Sequence, residues 1–143
     1  MQNIINLLSP WSLSLSQYAG LAPLTLRLAI ASIFIVHGKS KLTMWKMQPS
    51  DQMPLKMLNI MKALSIFETL GGLAILSGFL TPFASIGLGI IMIGAIYFKI
   101  FKWKIGFASQ QGTGWEFDLM VLAGCATLAM SGAGDISLDN LLL

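Results

Sequence analysis

Glu68 is the one charged residue in a run from Ala63 to Leu80 that is long enough to cross a bilayer as a single helix. Burying an ionised carboxylate at that depth costs about 3 kcal/mol or more, so such residues usually face a bundle interior, pair with another group or change protonation state. Glu68 is therefore the first candidate for a functional residue. A catalytic role in proton transfer and a structural hydrogen bond fit the sequence about equally well.

Two further titratable residues, His37 and Glu116, are predicted to lie near Glu68. His37 ends the first apolar segment, and its titration near neutral pH suits proton transfer, although a cation at a helix end is also favoured structurally. Glu116 opens the last apolar segment. It is either a site residue or part of a capping box with Thr113, in which each residue satisfies a backbone N–H of the first turn. His37, Glu68 and Glu116 are the candidate catalytic residues.

Asp118 and Arg27 are further charges within the apolar segments. On a helix Asp118 is rotated by about 200° from Glu116, so only one of the two can point at the bundle axis. We interpret Asp118 as an acid that stabilises the helix dipole. Arg27 is expected to form an ion pair with Asp135 or Asp139 of the C-terminal tail, or to extend toward the membrane interface.

The composition predicts the elements that position these residues. The 143 residues are 55% hydrophobic and only 10% charged, and the mean hydropathy is +0.75, which is typical of an integral membrane protein. We predict an all-α fold, a four-helix membrane bundle in which residues 1–143 form a single domain. The four predicted spans are residues 22–38, 59–80, 83–101 and 115–131.

Lysine placement predicts the orientation in the membrane. The lysines lie between the first two spans, just inside the second and after the third, and these positions share one face of the membrane. By the positive-inside rule this face is cytoplasmic, which gives an N-out, C-out topology. The net charge of +3 is then a topological signal, and no nucleic-acid partner is expected. The lysines are Lys39, Lys41, Lys46, Lys56, Lys62, Lys99, Lys102 and Lys104.

The N-terminal residues 1–20 contain Pro10, Trp11 and Tyr18 but no basic residue, so we expect mature sequence without a secretory signal. An interfacial segment at the membrane and an ordinary surface segment are equally compatible with them.

Cysteine and histidine usage excludes several redox classes. Cys125 and His37 each occur once, so the chain can form no internal disulfide and no bis-histidine haem site, and no metal or haem is expected. Met53, Met57 and Met61 form a helical stripe that begins near Pro54. Thioether sulfur can bind Cu(I), but packing or partner contact is the favoured interpretation.

Small residues are predicted to let helices approach each other closely. Gly71 and Gly72 lie one turn beyond Glu68, and Ala84, Gly87 and Gly94 form a stripe on the third span. We interpret both sets as tight helix packing.

Eight short stretches between Arg27 and Asp139 form a recognisable series. They are Arg27-Leu28-Ala29, His37-Gly38, Lys41-Leu42, Glu68-Thr-Leu-Gly71-Gly72, Gly78-Phe-Leu-Thr81, Gly94-Ala95, Trp115-Glu116 and Gly132-Ala-Gly134-Asp-Ile-Ser137-Leu138-Asp139. In order and spacing they resemble the DoxX family of small four-helix membrane proteins. The family often has a further histidine after the third span, where this chain has Lys99, which weakens a metal or haem assignment.

The resemblance implies a multi-pass protein of a prokaryotic cytoplasmic membrane. Some relatives are similar to the membrane subunit of thiosulfate:quinone oxidoreductase, which implies a quinone site. Carried onto this chain, Glu68, Glu116 and His37 would surround the headgroup, with Trp115 or Phe67 as stacking surfaces. The chain has no electron-transfer centre of its own, so electrons would come from a partner redox protein or from a bound substrate.

Three functions are open. The first is a membrane subunit of a quinone-linked oxidoreductase. The second is a non-enzymatic module that anchors or binds partner proteins, and the third is proton or small-solute transport by a homo-oligomer. Membrane lipids are expected partners in each case, and the sequence does not decide whether the chain is an enzyme.

Overall fold

The computed structural model describes residues 17–110 and 112–142, and over these residues the named secondary-structure elements are all helices. The interfacial prediction for residues 1–20 falls largely on residues 1–16, outside the described part. Helix α1 spans Ala22–Lys41, α2 spans Leu55–Ser77, α3 spans Thr81–Tyr97, α4 spans Trp115–Ser131 and the short α5 spans Leu138–Leu142. A 3-10 turn, Leu42–Lys46, extends α1, and a π-helical turn, Phe98–Lys102, extends α3.

Proline and glycine set the helix ends. Pro54 precedes α2 as its N-cap, and Pro82 occupies the first turn of α3, where a missing N–H costs nothing. Gly78 ends α2 in the left-handed conformation, at φ 71°, which glycine adopts without a steric penalty. Helix α2 begins next to Pro54, as the methionine stripe predicts, but four residues before the start of the predicted span 59–80. It ends three residues before residue 80 because of Gly78.

Three helical segments are long and apolar enough to cross a membrane: Ala19–Lys46, Leu55–Ser77 and Thr81–Lys102. The fourth, α4, has 17 residues and packs along α3. Large apolar side chains cover the outside of the helices, as expected for a surface that faces lipid. Inside lies one apolar core, whose largest members are Ile30, Phe34, Ile75, Leu88, Met92, Val121 and Leu128.

The four long helices form two antiparallel hairpins. Helix α1 packs most extensively on α2, and α3 packs most extensively on α4, with fewer contacts between the two hairpins. Gly38 and Gly72 permit the close approach within the first hairpin. A Cβ atom at Gly38 would lie 2.8 Å from the backbone nitrogen of Thr69, and one at Gly72 would lie 3.2 Å from the carbonyl oxygen of Ala31.

The glycines of α3 behave differently from the predicted packing stripe. A Cβ atom at Gly87 or at Gly94 would have no neighbour within 4 Å among the atoms of the described residues. Close helix packing is therefore the wrong interpretation of these two residues, although it holds for Gly71, where an added Cβ would meet the side chain of Leu88. Gly87 and Gly94 border open space instead.

Arg27 closes the end of the bundle opposite the lysines. Its guanidinium donates to the carbonyl oxygens of Ile75 at 2.8 Å, Leu76 at 2.7 Å, Ala133 at 3.0 Å and Ile136 at 2.6 Å. Carbonyls in the last turn of a helix have no partner within the helix, and here the arginine provides two of them with a donor.

The predicted ion pair of Arg27 with Asp135 or Asp139 is wrong, because neither carboxylate lies within ion-pair distance of it in the described chain. Asp139 instead accepts hydrogen bonds from the backbone N–H groups of Leu80 at 2.7 Å and Thr81 at 2.9 Å. It thereby caps the start of α3, where an acid is also favoured by the helix dipole.

Candidate functional site

A cavity of ≈430 Å³ lies at the lysine-rich end of the bundle, between the two hairpins. All four long helices contribute to its wall, which is mostly apolar. The charged and polar groups on the wall are His37, Lys41, Glu68, Lys99, Thr113 and Asp118, and the apolar ones are Ile33, Phe34, Met57, Ile60, Met61, Leu64, Ile91, Met92, Gly94, Ala95, Phe98, Trp103 and Phe117.

Glu68 is buried, with 2% of its surface exposed, and it pairs with Lys41. The ammonium nitrogen of Lys41 lies 2.5 Å from Oε1 and 2.6 Å from Oε2 of the carboxylate. Gly38, one turn before Lys41, lets α1 approach α2 closely enough for this contact. Both carboxylate oxygens thus have a donor, which is what a charge in an apolar environment requires.

Asp118 forms the corresponding pair in the second hairpin. Its Oδ2 lies 2.7 Å from Nζ of Lys99, whose side chain is 13% exposed. Lys99 directs its hydrogen bonds to Thr113 and to the carbonyl oxygen of Gly114, at 3.2 to 3.3 Å. Oδ2 of Asp118 is therefore close enough for electrostatic attraction, yet it accepts no well-directed hydrogen bond from any described residue.

The π-helical turn Phe98–Lys102 helps to position this second pair. Residues of the turn, Phe98 and Lys99, line the cavity together with Trp103, which follows the turn. Single π-helical turns inside α-helices often occur at functional sites because they change the direction of the side chains that follow.

His37 lies on the cavity wall without an ion pair in the described chain. Its ring is 6.3 Å from the ring of Phe117 across the interface between α1 and α4. Lys41 follows His37 at i+4, so both side chains project from the same face of α1. His37 thus lies on the same wall as two charge-balanced pairs.

The predicted site residues fall into two groups. Glu68 and His37 both line the cavity, whereas Glu116, Trp115 and Phe67 are absent from its wall. Glu116 is half-buried and belongs to neither ion pair of the described residues. The ring of Trp115 packs edge-on against that of Phe107, with centroids 4.6 Å apart. Phe67 is 64% exposed on the outer side of α2.

The capping-box interpretation of Thr113 and Glu116 is wrong. Gly114 is the N-cap of α4, and no side chain forms a capping hydrogen bond there. Thr113 instead accepts a hydrogen bond from Lys99. Of the two acids that cannot both face the axis, Asp118 is the inward one.

Sequence reasoning missed Lys41, Lys99 and Asp118 as site residues. The two lysines were counted only as topological signals, and Asp118 only as a helix-dipole charge. One available signal was the i+4 spacing of His37 and Lys41, which puts two cavity residues on one helix face. Another was the number of acids within the spans, since each buried carboxylate requires a nearby cation.

The cavity combines an apolar wall with groups that can hold or move a proton. The imidazole of His37 has one nitrogen that can donate and one that can accept, and Oδ2 of Asp118 accepts no well-directed hydrogen bond from any described residue. The two ion pairs leave the wall close to electrically neutral. Such a wall suits an uncharged, largely apolar ligand with a few polar atoms.

A helical fold with three bilayer-length apolar segments, packed around a cavity lined by ion pairs, defines a multi-pass membrane protein. The model of the DoxX family matches residues 22–103, more than half of the chain, and the chain belongs to this family. The resemblance inferred from the sequence is thus confirmed. No curated protein and no solved structure matches the chain significantly.

Proposed function

We propose that this chain is the membrane subunit of a quinone-linked oxidoreductase and that the cavity between the two hairpins binds the quinone headgroup. The observation that carries the proposal is the combination of two groups on one mostly apolar wall. His37 forms no ion pair among the described residues, and Oδ2 of Asp118, 2.7 Å from Nζ of Lys99, accepts no well-directed hydrogen bond from any of them. A quinone is uncharged and apolar apart from its carbonyl oxygens, which matches this wall.

A bound quinone supplies two-electron redox chemistry, in which two protons accompany the two electrons. His37 would provide one exchangeable proton at the wall, and the Glu68 carboxylate, held by Lys41, would maintain the local charge. Trp103 and Phe98 give flat apolar surfaces on the same wall, the role first assigned to Trp115 and Phe67. Electrons would come from a partner redox protein or directly from a bound substrate.

The proposal includes four spans in a prokaryotic cytoplasmic membrane, with both termini outside. Helix α4 would be the fourth span, and its 17 residues reach about 25 Å, close to the hydrocarbon thickness of a thin bilayer. In this orientation the cavity opens near the cytoplasmic face, where a soluble electron donor can approach.

The test measures the Kd of a tailless quinone for the full-length protein in mild detergent. Quenching of tryptophan fluorescence is the signal that reports binding. Gly94→Leu adds a side chain at a position that lines the cavity and belongs to neither ion pair, and a Cβ there meets no atom of the described residues within 4 Å. We expect the Kd of the quinone to rise about five- to 150-fold, since overfilling a binding site costs about 1–3 kcal/mol.

Gly87→Leu is the matched control, because Gly87 lies on the same helix, also beside open space, but outside the cavity. It should leave the Kd of the tailless quinone unchanged. Absence of binding to the unmodified protein, or equal effects of the two substitutions, would reject the proposal.

A second function, a non-enzymatic module that anchors partner proteins, is favoured by the geometry of Glu68. Its two carboxylate oxygens are fully occupied by Lys41, as in a purely structural ion pair. On this alternative Gly94→Leu leaves complex assembly intact and no quinone copurifies. Mass spectrometry of lipid extracts from the purified protein distinguishes the two functions.

A further inference from the structure

A shallow groove of ≈280 Å³ runs along the outer side of the bundle between α2 and α3. Every residue on its wall is apolar or glycine. Gly87 is an exposed residue of this wall, and a Cβ added there would meet no atom of the described residues within 4 Å. The exposed side chains of Phe67 and Leu70 rise along its edge.

The groove and the cavity adjoin each other and share two wall residues. Leu64 of α2 and Ile91 of α3 line both of them. From Leu64 the groove extends to Gly71 on α2, and from Ile91 it extends to Ala84 on the antiparallel α3. Each stretch covers eight residues, or about 10 Å along the helix axis, so the two walls end at the same level.

Polarity changes sharply between the two spaces. All the charged groups lie on the cavity wall, toward the lysine-rich end, and none lies on the wall of the groove. A ligand whose headgroup occupies the cavity has Lys99, Trp103 and Thr113 at the lysine-rich side. Its hydrocarbon part would keep wholly apolar surroundings by passing beside Leu64 and Ile91, which line both spaces, into the groove.

We infer that the groove between α2 and α3 holds the isoprenoid tail of the quinone whose headgroup occupies the cavity. This inference rests on the proposed function and adds the ligand class, a quinone with a long tail in place of a small diffusible one. The tail exchanges contacts with lipid for contacts with protein, so it orients the headgroup more than it strengthens binding.

The experiment uses a quinone that carries a photoreactive diazirine on its isoprenoid tail, with the full-length protein in phosphatidylcholine nanodiscs. Labelled peptides are identified by mass spectrometry. We expect labels on groove residues such as Phe67, Leu70 and Leu88, and few on Ile86 or Ile93, which are exposed apolar residues of α3 outside the groove.

Two controls separate a bound tail from ordinary lipid contact. A phosphatidylcholine with a diazirine on its acyl chain should label Ile86 and Ile93 as readily as the groove. A tailless quinone at about ten times its Kd should reduce groove labelling by the tailed probe about tenfold, through competition for the cavity.

Gly87→Leu fills the groove and should abolish the groove labels while the tailless quinone still binds with its normal Kd. If the tailless quinone binds and the tail labels the exposed faces evenly, this inference is overturned and the proposed function stands. If the tailless quinone does not bind the unmodified protein, both are overturned.

Discussion

The ammonium nitrogen of Lys41 lies within 2.6 Å of both carboxylate oxygens of Glu68, so the one acid of the second helix is neutralised by the helix beside it. Lys41 is one of the lysines gathered at this end of the bundle. Like Lys99, which pairs with Asp118, it has an internal partner, and this explains how the chain tolerates a buried carboxylate among apolar residues.

Removing either partner of this pair is expected to destabilise the protein by about 3–5 kcal/mol, because the remaining charge stays buried without compensation. Glu68→Gln and Lys41→Met are the single changes, and a protein with both changes should recover much of the loss. The free energies of unfolding of the two single variants and the double variant are measured in detergent by circular dichroism. Additive losses in the double variant would show that the two residues do not interact.

Arg27→Lys is expected to lower the free energy of unfolding by about 3 kcal/mol. An ammonium group cannot reproduce the planar fork of donors that reaches four carbonyl oxygens, and each carbonyl left buried without a donor costs about 1–3 kcal/mol. Lys39→Arg, at an exposed position of the same helix, is the control and should change stability little. Equal melting temperatures for both variants would contradict the role assigned to Arg27.

Two Gly→Ala substitutions are expected to change stability in opposite directions. At Gly38 the added methyl group meets the backbone of Thr69, so α1 and α2 must separate and the variant should unfold more readily. At Gly87 the methyl group meets open space, and the higher helix propensity of alanine should stabilise the protein by up to about 1 kcal/mol. Thermal unfolding of both variants in one detergent tests the pair, and destabilisation by Gly87→Ala would contradict the open groove.

The proposed orientation predicts which new cysteines react with a thiol reagent that cannot cross the membrane. In a Cys125→Ala background, Asp135→Cys should react in intact cells, whereas Lys46→Cys should react only after the membrane is broken. Both positions are exposed in the structure. A cysteine that fails to react in intact cells is therefore shielded from the reagent by the membrane and not by burial in the protein. The reverse pattern would place the lysine-rich end outside.

Much of the architecture could be predicted from the sequence, because long apolar runs and proline positions specify helices directly. The inward direction of Asp118 could not, since the 200° separation from Glu116 leaves the choice between them to the rotation of α4 about its axis. The sequence also could not predict that Gly87 and Gly94 border open space. A glycine that permits contact and a glycine that leaves a void look identical in sequence, and only the neighbouring helix distinguishes them.

Each hairpin balances its own charges, Lys41 with Glu68 in the first and Lys99 with Asp118 in the second. No ion pair of the described residues joins one hairpin to the other at the lysine-rich end. At the opposite end, Arg27 ties the first hairpin to the chain that follows α4, and Asp139 ties that chain to α3. Polar contacts of Arg27 and Asp139 thus join the two hairpins at one end of the bundle. Separating the hairpins at the lysine-rich end to admit a ligand would break no ion pair of the described residues.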